Sequence, residues 1–150
     1  MARAKRNLLS QTLTDKASLA SDGVTSSQFT ELDGHYGDKI IKRIEYNLGF
    51  KSGATSDTLE VCDFALVSKP KSEGVPVKAD LTDAKYNIKP MRCGASRDSG
   101  SGGNYSDYIH FQFDLSVRVP ATNNLYMSVH NNVGFTNSFY FLTKLFFLLL

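Results

Sequence analysis

Three histidines, one acid isolated in an apolar run and one glycine-rich loop are the places where the residue types of this chain could do chemistry. His35 lies in the polar stretch DGHYGD, while His110 and His130 each occupy the polar parity of a strand-like segment. A metal would need a third ligand beside them, with Asp107, Asp114 or His35 as candidates. That combination occurs in almost any sheet protein, so ordinary surface or edge histidines are expected, with no metal and no cofactor. Asp63 stands alone among apolar neighbours in LEVCDFALV. General acid–base catalysis wants two carboxylates whose pKa values are driven apart in a shielded cleft. A single acid is expected instead to pair with Lys or Arg, or to face solvent at an edge.

The loop SRDSGSGGNYS has enough glycine to cradle a phosphate, yet it lacks the lysine and the following helix that would hold one. No nucleophile-elbow, zinc-protease, calcium-loop or nucleotide-loop motif appears. The chain therefore reads as a protein that is not an enzyme. Cys62 and Cys93 allow one bridge at most, and only if their strands are neighbours; a buried thiol acting as a small hydrophobe is the expected role.

The elements that would position these groups are strands. In YIHFQFDLSVRVP the odd positions from Ile109 to Val119 are apolar, and the other face presents His110, Gln112, Asp114, Ser116 and Arg118. In IIKRIEYNLGF the same period points Ile40, Ile44, Tyr46, Leu48 and Phe50 one way. LEVCDFALV is apolar on both parities, which predicts a central strand buried on two sides. Pro70, Gly74 and Pro76 impose a loop with a hint of a short strand at Val75 to Val77. Tyr86 to Met91 predicts a short strand at an edge or bulge because of Pro90. Two more strands are expected, from Leu125 and from Ser138. No helical stretch of 10 to 15 residues intervenes, so the sequence predicts an all-β antiparallel sandwich or barrel, with the sandwich preferred.

Residues 1–37 are rich in Ser, Thr, Asp and Gly, and their isolated Leu8, Leu9, Leu13, Leu19 and Phe29 fit no sustained period. They read as an extended amino-terminal arm with a weak helical turn around residues 7–20, and residues 38–150 as the sandwich. The closing run FYFLTKLFFLLL is too short to cross a bilayer as a helix. It suits a core strand, a seam under a neighbouring subunit, or contact with lipid.

The 150 residues suffice for one domain, and 17 Lys and Arg against 15 Asp and Glu give no strong overall attraction to nucleic acid. Arg3, Lys5 and Arg6 nevertheless form a basic tip, and no apolar stretch of a secretory signal follows it. A basic tip, a polar arm and a small all-β body together resemble the plan of a small single jelly-roll viral capsid protein. The resemblance is one of plan, without a signature motif. It implies a structural virion protein, made in the host cytoplasm and located in the virion, whose partners are copies of itself and other shell proteins. Arg3, Lys5, Arg6, Leu8, Leu9 and Phe29 would be assembly-arm residues, and His110, Gln112, Asp114, Arg118, Phe146 and Phe147 interface residues. The tip would touch nucleic acid weakly, and the carboxyl end would suit an internal membrane if the particle has one. Only three clustered basic residues put genome packaging in doubt and favour shell building, as a major or a minor vertex subunit. The alternative is a sandwich module binding carbohydrate or another surface ligand through Tyr105, Tyr108 and Tyr126.

Overall fold

The closing apolar run becomes an interior strand. In the computed structural model, which describes residues 8–30, 37–51, 58–97, 106–132 and 136–150, it forms β8, Asn137–Leu149, hydrogen-bonded on both sides. Phe139, Phe141, Leu145 and Phe147 alternate into the core, so a strand with neighbours left and right spends one parity on burial. The other strands are β1 (Leu9–Leu19), β2 (Val24–Gln28), β3 (Lys39–Lys51), β4 (Thr58–Pro70), β5 (Asn87–Arg97), β6 (Ser106–Val119) and β7 (Asn123–Asn131). They form two four-stranded sheets, ordered β1-β8-β3-β6 and β2-β7-β4-β5, with every pairing antiparallel. Eight strands wound in this order are a jelly roll. No helix among the described residues is long and apolar enough to cross a membrane.

The expected arm is corrected here. Residues Leu9–Leu19 pair along their whole length with β8, and Val24–Gln28 pair with β7, so each sheet takes an edge strand from the segment read as arm. Phe29 is fully buried in the shared core, and the expected helical turn is strand from Leu9 on. Edge strands are held by backbone hydrogen bonds that Ser and Thr make as well as Leu, so the apolar period is faint there. Arg3, Lys5 and Arg6 lie outside the described residues.

The core between the sheets gathers Ile41, Ile44, Tyr46 and Leu48 from β3, Phe64 and Leu66 from β4, Met127 and Val129 from β7, and the inward side of β8. The Phe64 and Phe139 rings meet edge to face at 6.0 Å, joining the sheets. One expectation shifts: a bulge between Ile41 and Arg43 turns Ile41 inward, fully buried, and leaves Ile40 half-buried. Burial pushes the Tyr46 hydroxyl far above its ordinary pKa while it donates to the Lys89 carbonyl at 3.2 Å. β4 is central, as its two-sided apolarity predicts, and Cys62 lies buried with Cys93 as its register partner on β5. Pro90 sits on an edge strand at a register shift, beside Lys89 in the left-handed region at φ 51°.

The outer faces of the two sheets differ. Residues 71–86 lie as a strap over β2-β7-β4-β5, with 3-10 turns at Lys71–Glu73 and Lys78–Leu81. Leu81, 1% exposed, packs on Ala65 and Val67. Lys69 Nζ meets Asp80 Oδ2 at 2.7 Å, and the Val77 backbone N–H donates to the same oxygen at 2.8 Å. Burial pushes the Asp80 carboxyl up, but these donors outweigh it and hold it below the usual carboxylate range. The expected strand at Val75 to Val77 is strap instead, with both valines exposed.

Candidate functional site

On the strapped sheet, His130 on β7 is the centre of a polar cluster. Its ring is 4% exposed, with Nε2 2.7 Å from Asp22 Oδ1 and Nδ1 3.9 Å from Asp63 Oδ2. Asp22 sits in the tight turn between β1 and β2, where φ is 60°, a conformation Asp tolerates better than most residues. Lys78 of the strap pairs with Asp22 at 2.7 Å. Asp63 accepts two hydrogen bonds from Arg92 of β5, at 2.9 and 3.3 Å, and one from Asn132. The hydrogen bond from Lys78 and then that from His130 hold the Asp22 carboxyl below its ordinary range. Burial raises Asp63, and Arg92 and Asn132 more than reverse this.

This cluster borders a cleft between the strap and the sheet, lined by Asp63, Lys78, Thr82, Arg92, His130 and Asn132. Each charged group there already has an opposite partner, and the imidazole is almost fully covered. The arrangement is suited to fastening: it ties the β1–β2 turn, β4, β5, β7 and the strap at one place. Asn131 adds to it, donating to the carbonyls of Leu19 and Ala20 at 3.0 and 3.1 Å and accepting from Asn137 at 3.2 Å. Among the described residues, no three His, Cys, Asp or Glu stand close enough to share a metal. Asp63 has the Arg partner expected for it, whereas His130, read as a surface or edge residue, is buried beneath the strap.

The second candidate is the outer face of β1-β8-β3-β6, whose residues fall into rows across the sheet. Thr14, Leu142, Asn47 and His110 share one row, Thr12, Lys144, Glu45 and Gln112 the next, and Ser10, Phe146, Arg43 and Asp114 a third. His110 and Asn47 are hydrogen-bonded at 2.8 Å, Arg43 donates to Asp114 at 2.8 Å, and Arg118 donates to Asp38 at 2.6 Å. The Ala121 backbone N–H and then Arg118 hold the Asp38 carboxyl below its usual range. Phe146 lies half-buried under the cations of Arg43 and Lys144, 5.6 and 5.0 Å from its ring centre. Above it on β8, Tyr140 and Leu142 are 42% and 39% exposed. The Tyr140 ring leans on Gly49, where an added Cβ would stand 2.6 Å from its Cδ2, so glycine makes this close approach available.

Of the residues expected to form an interface, His110, Gln112, Asp114, Arg118 and Phe146 share this face. Phe147 does not: it is 6% exposed and points into the core, because adjacent strand residues face opposite ways. Leu8 and Leu9 are exposed at the start of β1. Of the expected ligand-binding tyrosines, Tyr126 is buried, and Tyr105 lies outside the described residues. Tyr140, Leu142 and Asn47 were not singled out from sequence. The signal was present, since FYFLTKLFFLLL is apolar on both parities and one parity of any strand in a two-layer sandwich must face outward.

No family model and no curated protein sequence matches the chain. Among solved structures, the chain is similar to Desmodium yellow mottle tymovirus, at 11% identity over 100% of this chain and 93% of that chain, with a TM-score of 0.33. It is similar to turnip yellow mosaic virus at 7% identity over 100% and 86% of the two chains, with a TM-score of 0.32. A 60-mer BFDV capsid protein matches at 10% identity over 98% and 95%, with a TM-score of 0.38. No residue role passes from these structures to this chain.

Proposed function

We propose that this chain is a structural virion protein, a capsid subunit of major or minor type that assembles with copies of itself and other shell proteins. One observation carries the reading. The sheet β1-β8-β3-β6 has an outer face that no described segment covers, on which an interior strand exposes Tyr140 and Leu142 beside rows of paired charges. A jelly roll is a rigid tile of the kind found in viral shells and lectins. A mixed apolar and charged face then supplies a contact that is weak singly and strong when many copies close a symmetric shell. His110, Gln112, Asp114, Arg118 and Phe146 contribute to this contact, with Leu8 at its margin, while Leu9, opposite Phe147, is exposed on the core side of β1. Arg3, Lys5 and Arg6 make weak phosphate contacts that matter only when many copies act together.

Sedimentation and particle imaging of the full chain test the reading. Closed shells or large rings are the expected result, and a species that stays at 16.6 kDa across the concentration range overturns it. A surface-ligand module is the second reading, favoured by the Tyr140 ring beside the Asn47 and His110 pair. It requires a monomer whose Tyr140 signals shift on adding a sugar.

A further inference from the structure

Two sheets have four edges, and three of them carry features that discourage strand addition. β5 has Pro90 beside Lys89 in the left-handed region, β2 has only five residues, and β1 carries the charges of Asp15 and Lys16. β6 is different: fourteen residues long, without proline or lysine, and irregular only where Leu115 and Ser116 face the β3 bulge, it has a strand neighbour on one side only among the described residues. Its core-facing residues are also incompletely covered. Ile109, Phe111, Phe113, Leu115 and Val117 are all half-buried, whereas Phe139, Phe141, Leu145 and Phe147 at the equivalent positions of β8 are buried. Phe111 and Phe113 stack on each other at 6.1 Å, and the Lys89 ammonium stands 4.5 Å over Phe113. A half-covered apolar seam thus runs beside a backbone edge that no described strand pairs.

We propose that β6 pairs antiparallel with β6 of a second copy across a two-fold axis, continuing the sheet from one subunit into the next. The pairing satisfies the unbonded backbone groups of the edge and covers the seam in one step. Because both copies turn the same face outward, register moves in steps of two residues. With Phe113 on the two-fold, Phe111 meets Leu115 of the second copy and Ile109 meets Val117. On the outer face Gln112 then opposes Asp114, an amide donor against a carboxylate, and His110 opposes Ser116. Of the two neighbouring registers, the one with Asp114 on the two-fold sets it against its own copy, a like-charge pair that disfavours it. This inference rests on the assembly reading and names one seam of it.

The test uses the full chain with His110→Cys and Ser116→Cys together, both at exposed outer-face positions, so that Gln112 and Asp114 stay in place. Mild oxidation is expected to give a covalent dimer whose linked peptide joins position 110 to position 116 of the other copy. Hydrogen exchange on the unmodified chain is the second readout. The β6 amides that β3 does not bond should exchange on the order of tenfold more slowly in associated material than in dilute monomer. Association with these amides unprotected and no 110–116 link overturns the seam and leaves the assembly reading standing. A monomer at every concentration overturns both.

Discussion

The two sheets bury their inner faces against each other, yet their outer faces have opposite fates. Over β2-β7-β4-β5 the strap brings Leu81 onto Ala65 and Val67, and it adds the buried Lys69–Asp80 pair and the link from Lys78 to Asp22. Over β1-β8-β3-β6 no described segment lies, and Tyr140, Leu142 and Phe146 remain partly in solvent. The strap completes the first face, and no described segment completes the second. Apolar residues on the two faces should therefore report on different quantities, stability for one and association for the other.

Removing residues 1–28 is the severest challenge, since it strips an edge strand from each sheet and the Asp22 partner of His130. Loss of the cooperative unfolding transition in calorimetry is expected. A truncated chain that still melts sharply would restore the extended arm first read from the sequence. Next comes Leu81→Ala, which removes the strap's anchor and should cost about 3 kcal/mol in denaturant titration with association per folded molecule unchanged.

Acidification follows. Asp22, Asp38, Asp63 and Asp80 are all held below the ordinary carboxylate pKa, so they contribute stability that is present above about pH 4 and is lost as pH falls through their folded values. The melting temperature should therefore drop between about pH 5 and pH 2, with a shallower drop in Asp63→Asn. The smallest effect on stability belongs to Leu142→Ser on the open face, within about 0.5 kcal/mol. The same change should weaken association measurably by sedimentation. If it instead unfolds the chain while Leu81→Ala does not, the contrast between the faces is wrong.

Much of the sandwich was legible because burial imposes a period of two on the residues that pay for it. IIKRIEYNLGF, LEVCDFALV and YIHFQFDLSVRVP each announce a strand, and Pro90 announces the edge that the structure gives it. The candidate site was legible in part. His110, Gln112, Asp114 and Arg118 do share an outer face, because alternation fixes which side of one strand they occupy. The cluster of Asp22, Asp63 and His130 was not legible as a unit, since Asp22 and His130 are 108 residues apart in sequence and meet only through the turn between β1 and β2.

By itself, then, the sequence determined that the chain builds antiparallel strands with a wet side and a dry side, for local alternation records each residue's own burial. Only the tertiary structure decided that Leu9–Leu19 and Val24–Gln28 are sheet edges, that His130 lies beneath a strap and that Phe147 faces inward while Phe146 faces outward. Edge strands are held by backbone hydrogen bonds open to almost any side chain, and a cover or a bulge depends on distant segments. Neither leaves a local period to read.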